Sequence, residues 1–235
     1  MRRHGIYLDG VSSRDFGIFV SGTGVFNAPE RDIETVEIPG RNGDLTIDNG
    51  RWRNITVTYP AIVVYDFRQN IQSARAWLCS TSRYRRLEDD YCLDSYRMAR
   101  YVGGLELNVD TMLDAAKTTL RFDCMPQRFL YSGENDVVMT NGGKIVNPSL
   151  FDSLPLMVVT GSGAGTVTVN TTTVTISSVG TSVTLDSEIQ RAYSGGFSRD
   201  ATITGSYPVL TAGENTVSWT GGVTGVTIKP RWWTL

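Results

Sequence analysis

The chain has 235 residues, with 40% hydrophobic and 20% charged residues, 24 Gly and 8 Pro, which is ordinary usage for a globular protein and excludes collagen-like, disordered and coiled-coil classes. Lys and Arg number 22 against 24 Asp and Glu, a formal charge of −2, so no global basic field is available to grip a phosphate backbone. The three cysteines, Cys79, Cys92 and Cys124, form no C-x-x-C pair and read as buried free thiols of a reducing compartment, with neither a disulfide framework nor a zinc knuckle.

The opening Met1-Arg2-Arg3-His4-Gly5-Ile6-Tyr7-Leu8-Asp9-Gly10 brings Asp9 before any apolar stretch of signal-peptide length, and no run approaches the ~18 apolar residues of a spanning helix; no secretion and no membrane are expected. His4, the single histidine, reads as an exposed or packing residue, which removes the imidazole most hydrolytic relays and zinc sites need. Gly5–Leu8 and Gly17–Val20 flank a turn-like Asp9–Ser13 and read as a strand pair. Residues 53–59 alternate with period two as a half-buried strand does, and Pro60 then marks an edge or bulge. Phe67, Ile71, Ala74 and Leu78 form one stripe of a 3.6-residue helix, with Asp66 and Gln69 resembling a capping box. Arg83, Arg85 and Arg86 followed by Asp89-Asp90 read as a solvated, mixed-charge loop, and Tyr91–Tyr101, Leu105–Asn108 and Thr118–Phe122 as strands.

Near the middle the composition shifts from Arg, Asp and aromatic residues to Gly, Thr, Ser and Val. Turn-rich segments at 132–136 and 141–143 bracket Val137-Val138-Met139, and two domains are expected, 1–136 and 137–235. The second carries short β-branched runs at 156–160, 166–170, 173–177, 182–185, 189–193, 215–219 and 226–229, as a sandwich or jelly roll does.

Gly161-Ser162-Gly163-Ala164-Gly165 leads into a strand, whereas a phosphate loop opens a helix, so it reads as a hairpin turn. Asp186 and Glu188 could superficially serve as a glycosidase pair, but they adjoin one strand-to-strand turn where such carboxylates normally come from separate elements. Pro39, Gly40, Arg41, Asn42, Gly43 and Asp44 are the most informative local segment: two glycines permit a sharp excursion and Arg41 offers a planar donor fork. A turn with a structural Arg and a subunit contact both fit it. Trp219, Trp232 and Trp233 could stack on sugar rings or fill a core.

Taken together, Ile38–Leu45, Phe122-Asp123-Cys124-Met125-Pro126-Gln127-Arg128-Phe129, Asn147-Pro148 with Leu154-Pro155 and Gly161-Ser162-Gly163, Leu185-Asp186-Ser187-Glu188 with Tyr193, Tyr207–Asn215 and Ile228-Lys229-Pro230-Arg231-Trp232-Trp233 resemble signatures of the distal tail proteins of siphophages that infect Gram-positive bacteria. The resemblance implies a mainly β protein, an N-terminal tail-tube-like β-sandwich with one α-helix that forms a ring and a C-terminal galectin-like β-sandwich. It further implies a homo-hexamer at the virion's tail tip, synthesised in the host cytoplasm, joining the tail tube protein to a tail-associated adhesin or lysin and supporting receptor-binding proteins or side fibres. DNA would pass the lumen without specific binding. On this reading the segment from Pro39 to Asp44 is an oligomer contact, and no catalytic residue, metal or cofactor is expected. The rival class is a carbohydrate-binding module for cell-wall glycans, with the three tryptophans as its contacts; a cell-wall hydrolase comes third.

Overall fold

A computed structural model describes residues 4–21, 26–64, 67–110 and 115–235. The chain divides into two compact units between Arg128 and Phe129, ahead of the boundary expected between Asp136 and Val137.

The first unit contains β1 (Ile6–Leu8), β2 (Val11–Ser12), β3 (Ile18–Val20), β4 (Arg31–Val36), β5 (Leu45–Trp52), β6 (Ile55–Val63), α1 (Phe67–Cys79), β7 (Arg85–Asp89), β8 (Ser95–Tyr101), β9 (Asn108–Asp110) and most of β10 (Ala115–Leu130). One sheet runs β2-β1-β7-β8-β10-β6-β3, with β9 also pairing β10. Alternation decides which side is buried: Ile55, Val57, Tyr59, Ala61 and Val63 of β6 join Leu120, Phe122 and Cys124 of β10 in one core. The helical stripe is real, since Ile71, Ala74 and Leu78 pack into that core; the expected capping residue Asp66 lies outside the described residues. Pro60 sits where its carbonyl accepts from the Ser21 N–H at the end of β3, so its missing donor faces the flank that β3 has just vacated.

Several expectations change. β1 and β3 do not pair with each other; β1 is held by β2 and β7, β3 by β6, and only a single bridge joins His4 to Val20. The charged 83–90 segment is no loop, because Arg85 is nine-tenths buried in β7 and donates to the Trp77 and Leu78 carbonyls, both at 2.8 Å, at the end of α1. Residues 91–94 form a turn before β8, closed by Asp89 Oδ1 accepting the Tyr91 and Cys92 N–H groups at 2.9 Å. Residues 105–107 lie outside any strand, and β10 extends well past the 118–122 run. All three cysteines are free, yet only Cys124 is buried and Cys79 is exposed.

The second unit contains β11 (Val137–Met139), β12 (Gly143–Asn147), β13 (Leu156–Val169), β14 (Thr172–Ile176), β15 (Ser182–Asp186), β16 (Arg191–Ser194), β17 (Phe197–Ser198), β18 (Ile203–Gly205), β19 (Gly213–Lys229) and β20 (Trp233–Thr234). Four of the expected short strands are halves of two long ones, 156–160 with 166–170 and 215–219 with 226–229. Gly161–Gly165 is therefore a bulge inside β13, not a hairpin turn. The two halves of β13 serve different neighbours, β15 and then β14, while β19 follows β13 through register shifts at Gly161 and Gly165. A Cβ at Gly222 would overlap the Ser162 carbonyl oxygen, so the close approach at this corner requires glycine. Both halves turn alternate residues into one core, Met157 and Val159 with Val167 and Val169, which makes a β-sandwich. β16 begins at Arg191, later than the expected 189.

Candidate functional site

The expected contact segment, Pro39 to Asp44, caps a two-stranded sheet in which, among the described residues, β4 and β5 pair only with each other. Isolated hairpins are marginal in water, so what holds this one must be found at its root. Asp32 supplies most of the answer: it is 6% exposed and accepts Arg51 Nε at 2.6 Å and Arg53 Nε at 2.9 Å. Hydrogen bonds from Arg51 and then Arg53 hold its carboxyl below the ordinary carboxylate range against the opposing cost of burial. Arg31 binds both oxygens of Asp48 at 3.0 Å and lies 5.0 Å from the Trp52 ring centroid. The Arg53 N–H to the Glu30 carbonyl, 2.9 Å, and Asn27 Nδ2 to the Thr56 carbonyl, 3.2 Å, close the base.

Beyond that root the ribbon is uncovered. Pairing of Val36 with Leu45 and of Glu34 with Ile47 puts these four residues on one face, while Thr35, Thr46, Ile33 and Asp48 take the other. Val36, Leu45 and Ile47 are 43%, 43% and 45% exposed, an apolar stripe that nothing among the described residues of the same chain covers. Every residue from Pro39 to Asp44 is exposed. Gly40 and Gly43 have φ of 82°, and a Cβ on either would meet nothing within 4 Å, so the tip projects into open space. Arg41 makes no ion pair among the described residues; its N–H donates to the Ile38 carbonyl at 3.1 Å. The arm itself carries a legible signal beyond its loop, apolar and polar residues mixed on either side of the Gly-rich segment from Pro39 to Asp44.

The tryptophans fall elsewhere. Trp219 and Trp232, 9% and 5% exposed, are part of the second core and present no open indole face to a sugar. Trp233 is half-buried, stacked on Phe151 at 4.6 Å and donating Nε1 to the Asp152 carbonyl at 2.9 Å. The three therefore form no stacking platform, and the glycan-contact expectation is corrected for Trp219 and Trp232. Asp186 and Glu188 lie on Arg231 at 2.7 and 3.2 Å, so both carboxylates are engaged by one guanidinium. His4 stacks on Tyr91 with ring centroids 4.5 Å apart, the packing one of the two roles open to it. Burial pushes the Cys124 thiol up to about 12, far from the range of a reactive thiolate.

No family model and no curated protein matches the chain. Among solved structures, the crystal structure of the SPP1 Dit protein (gp 19.1), presented as a paradigm of the hub adsorption apparatus in phages infecting Gram-positive bacteria, superposes with a TM-score of 0.80 over 100% of both chains at 15% identity. A component of the phage P2 baseplate in its activated conformation with calcium gives a TM-score of 0.52 over 97% of both chains at 9% identity. At these identities the likeness is one of fold.

Proposed function

We propose that this chain is a distal tail protein: six copies form a ring at the phage tail tip that joins the tube to a tail-associated adhesin or lysin, carries receptor-binding proteins or side fibres, and leaves a lumen for DNA. The observation that carries the reading is the β4–β5 arm, a ribbon whose apolar face has no cover among the described residues of its own chain. Burying such a stripe is favourable at roughly 25 cal/mol per Å², and a second copy supplies the surface at fixed stoichiometry. The end-to-end fold likeness to a hub protein of the adsorption apparatus points to the same kind of assembly. Assembly, not turnover, is then the chain's work, and the near-neutral charge suits a channel through which DNA must slide without being held.

Sedimentation and negative-stain imaging of the full chain test this. A six-fold ring is expected, and a variant in which residues 33–48 are replaced by a two-residue Asn-Gly turn should remain folded by far-UV spectrum yet sediment as a single chain. A wild-type protein that stays monomeric at every concentration, with or without its tail tube partner, overturns the reading.

A further inference from the structure

We infer that the groove beside the middle of β10 binds a short acidic peptide, one residue of which pairs with the backbone of Thr119 while its flanking carboxylates meet Lys117 and Arg121. Every group that makes this site belongs to one chain, so the inference stands apart from the ring reading.

The site begins with a gap in the sheet. β8 ends at Tyr101 and β9 begins at Asn108, and both lie along the side of β10 that β6 does not occupy. The Val102 N–H donates to the Arg121 carbonyl at 3.0 Å, and Asn108 pairs with Lys117. Between these two ties the chain drops toward the core side of the sheet, where Leu105 and Leu107 pack against the first core and the Glu106 carbonyl accepts from Thr118 Oγ1 at 2.7 Å. Thr119 is thereby left without a neighbouring strand. In an antiparallel ladder the N–H and C=O of one residue point to the same side, and the side alternates from residue to residue. Thr119 lies opposite Pro60, whose carbonyl is turned away to accept from the Ser21 N–H at 2.7 Å. The N–H and C=O of Thr119 therefore point away from β6 and into the gap, and among the described residues neither has a partner.

Over this floor the groove encloses about 440 Å³. Lys117, Thr119 and Arg121 alternate with buried Thr118 and Leu120 and so share the outward face of the strand. The rim beside them is bare backbone at Gly103 and Gly104, and a Cβ on Gly104 would meet nothing within 4 Å, so the opening is unobstructed there. Among the described residues neither Lys117 nor Arg121 makes a salt bridge, unlike Arg100 on β8, which Asp123 holds at 2.8 Å. Glu106 is the single acid in the lining, which leaves the groove net positive.

These groups select a ligand class. A phosphate offers acceptors alone and would leave the Thr119 carbonyl unmet. A single trans amide turns its N–H and C=O in opposite directions, whereas the floor asks for a donor and an acceptor on one side. The N–H and C=O of one extended peptide residue meet that demand. Ordinary strand addition along β10 is blocked, because Val102 and Asn108 already hold the positions two residues away on either side. The peptide must therefore rise from the floor at both ends, onto the outward face where Lys117 and Arg121 stand roughly 13 Å apart along the strand. Carboxylates two residues before and two residues after the paired residue meet these cations, and opposite charge fixes the register.

The probe is acetyl-Glu-Ser-Ala-Ser-Glu-amide, titrated into the full chain at low ionic strength, where exposed charge pairs count most, with hydrogen exchange across β10 read by mass spectrometry. Binding should slow exchange at Thr119, whose N–H the ladder does not protect. Affinity should fall about 10-fold when lysine replaces both glutamates of the probe, and by a similar factor in the chain carrying Lys117→Gln with Arg121→Gln. Methylating the nitrogen of the probe's alanine removes the donor to the Thr119 carbonyl and should cost about 5-fold. Absence of binding by the acidic probe at millimolar concentration overturns the site. Equal binding of the lysine probe overturns the charge selection, and equal binding of the methylated probe, or unchanged exchange at Thr119, overturns the backbone pairing. Both probe changes leave the chain itself unaltered, so the comparison holds whether or not the glutamine variant folds.

Discussion

Arg231 and Asp186 meet in a two-point contact, Nη1 to Oδ1 at 2.7 Å and Nη2 to Oδ2 at 3.0 Å, with the Asp186 side chain 8% and the Arg231 side chain 26% exposed. Arg231 holds this position from a left-handed backbone, φ 58°, which costs an ordinary residue free energy that the contact must offset. Around it the last strand is fastened: the Arg231 N–H donates to the Gly133 carbonyl at 2.7 Å, the Leu130 N–H to the Trp232 carbonyl at 2.9 Å, and Ser153 Oγ to the carbonyl of Pro230. The pair thus anchors the segment that delivers Trp232 into the second core.

Asp186→Asn should therefore destabilise the second unit by about 2 kcal/mol, because it removes the two-point charged contact and leaves a guanidinium three-quarters removed from water with only the exposed Glu188 carboxylate as its anion. Acid should act the same way. Burial raises the Asp186 carboxyl, but the hydrogen bonds and charge of Arg231 outweigh it and the net shift is downward. A carboxylate lowered in the folded state contributes its full stability above the unfolded value, about 3.9, and loses it as pH falls through the folded value. Thermal melts between neutral pH and pH 3 should show wild type losing stability below about pH 4, and Asp186→Asn losing less over the same interval. Parallel curves would remove the pair from the account.

The second unit should fold alone when cut where its contacts begin. A fragment from Lys144 lacks β11, Met139 and the Leu130–Gly133 segment that binds the C-terminal strand. A fragment of residues 129–235 retains all of these and should unfold cooperatively as a monomer by calorimetry and sedimentation. The 144–235 fragment should melt at least ~10 °C lower or fail to fold, since losses of a few kcal/mol shift a domain of about 100 residues by that much. Gly133→Ala in the longer fragment should be damaging too, because its Cβ would overlap the Trp232 backbone nitrogen.

What the sequence showed and what it hid follow one division. The stripe of Ile71, Ala74 and Leu78, the alternation of β6 and the β-branched runs of β14 and β15 are local patterns, and they became elements close to where they were read. The joining of 156–160 to 166–170 was hidden because glycine marks both a hairpin and a bulge, and only the partner strand β19, more than fifty residues away, decides between them. Arg85 was hidden for the same reason: its burial is repaid by carbonyls at the end of a helix, which no charge pattern announces. Of the site, the loop from Pro39 to Asp44 was legible through its glycines, whereas the uncovered apolar face depended on knowing that β4 and β5 stand apart from the main sheet.

The thiols give an independent check on the first core. Cys79 is exposed, Cys92 half-buried and Cys124 buried with its thiol raised to about 12. A disulfide exchange reagent at neutral pH should modify Cys79 at once and Cys92 more slowly, and should reach Cys124 only at the rate of unfolding. Rapid modification of all three in the native protein would show that β10 is not packed as described.

The arm offers two distinct ways to hold a neighbour, and single substitutions separate them. Arg41 stands at an exposed tip, so Arg41→Ala should leave the fold and the melting temperature of the monomer unchanged. Its guanidinium could contribute ~2–5 kcal/mol if it is desolvated against a partner carboxylate, and ~0–1 kcal/mol if it stays in water. The apolar face makes a different demand. Val36→Ser with Leu45→Ser removes two facing side chains that are already 43% exposed in the single chain, so little monomer stability is lost, while the buried area at a contact shrinks. Sedimentation over a range of protein concentrations reads both. If the arm docks by its face, the serine pair shifts the ring toward smaller species more than Arg41→Ala does, and added salt weakens the wild-type ring only modestly. If Arg41→Ala alone dissolves the ring and salt does the same, the tip guanidinium dominates and the apolar stripe serves the arm's own twist and pairing. A monomer that unfolds on Arg41→Ala would instead make Arg41 the structural turn residue that its place between Gly40 and Gly43 also allows.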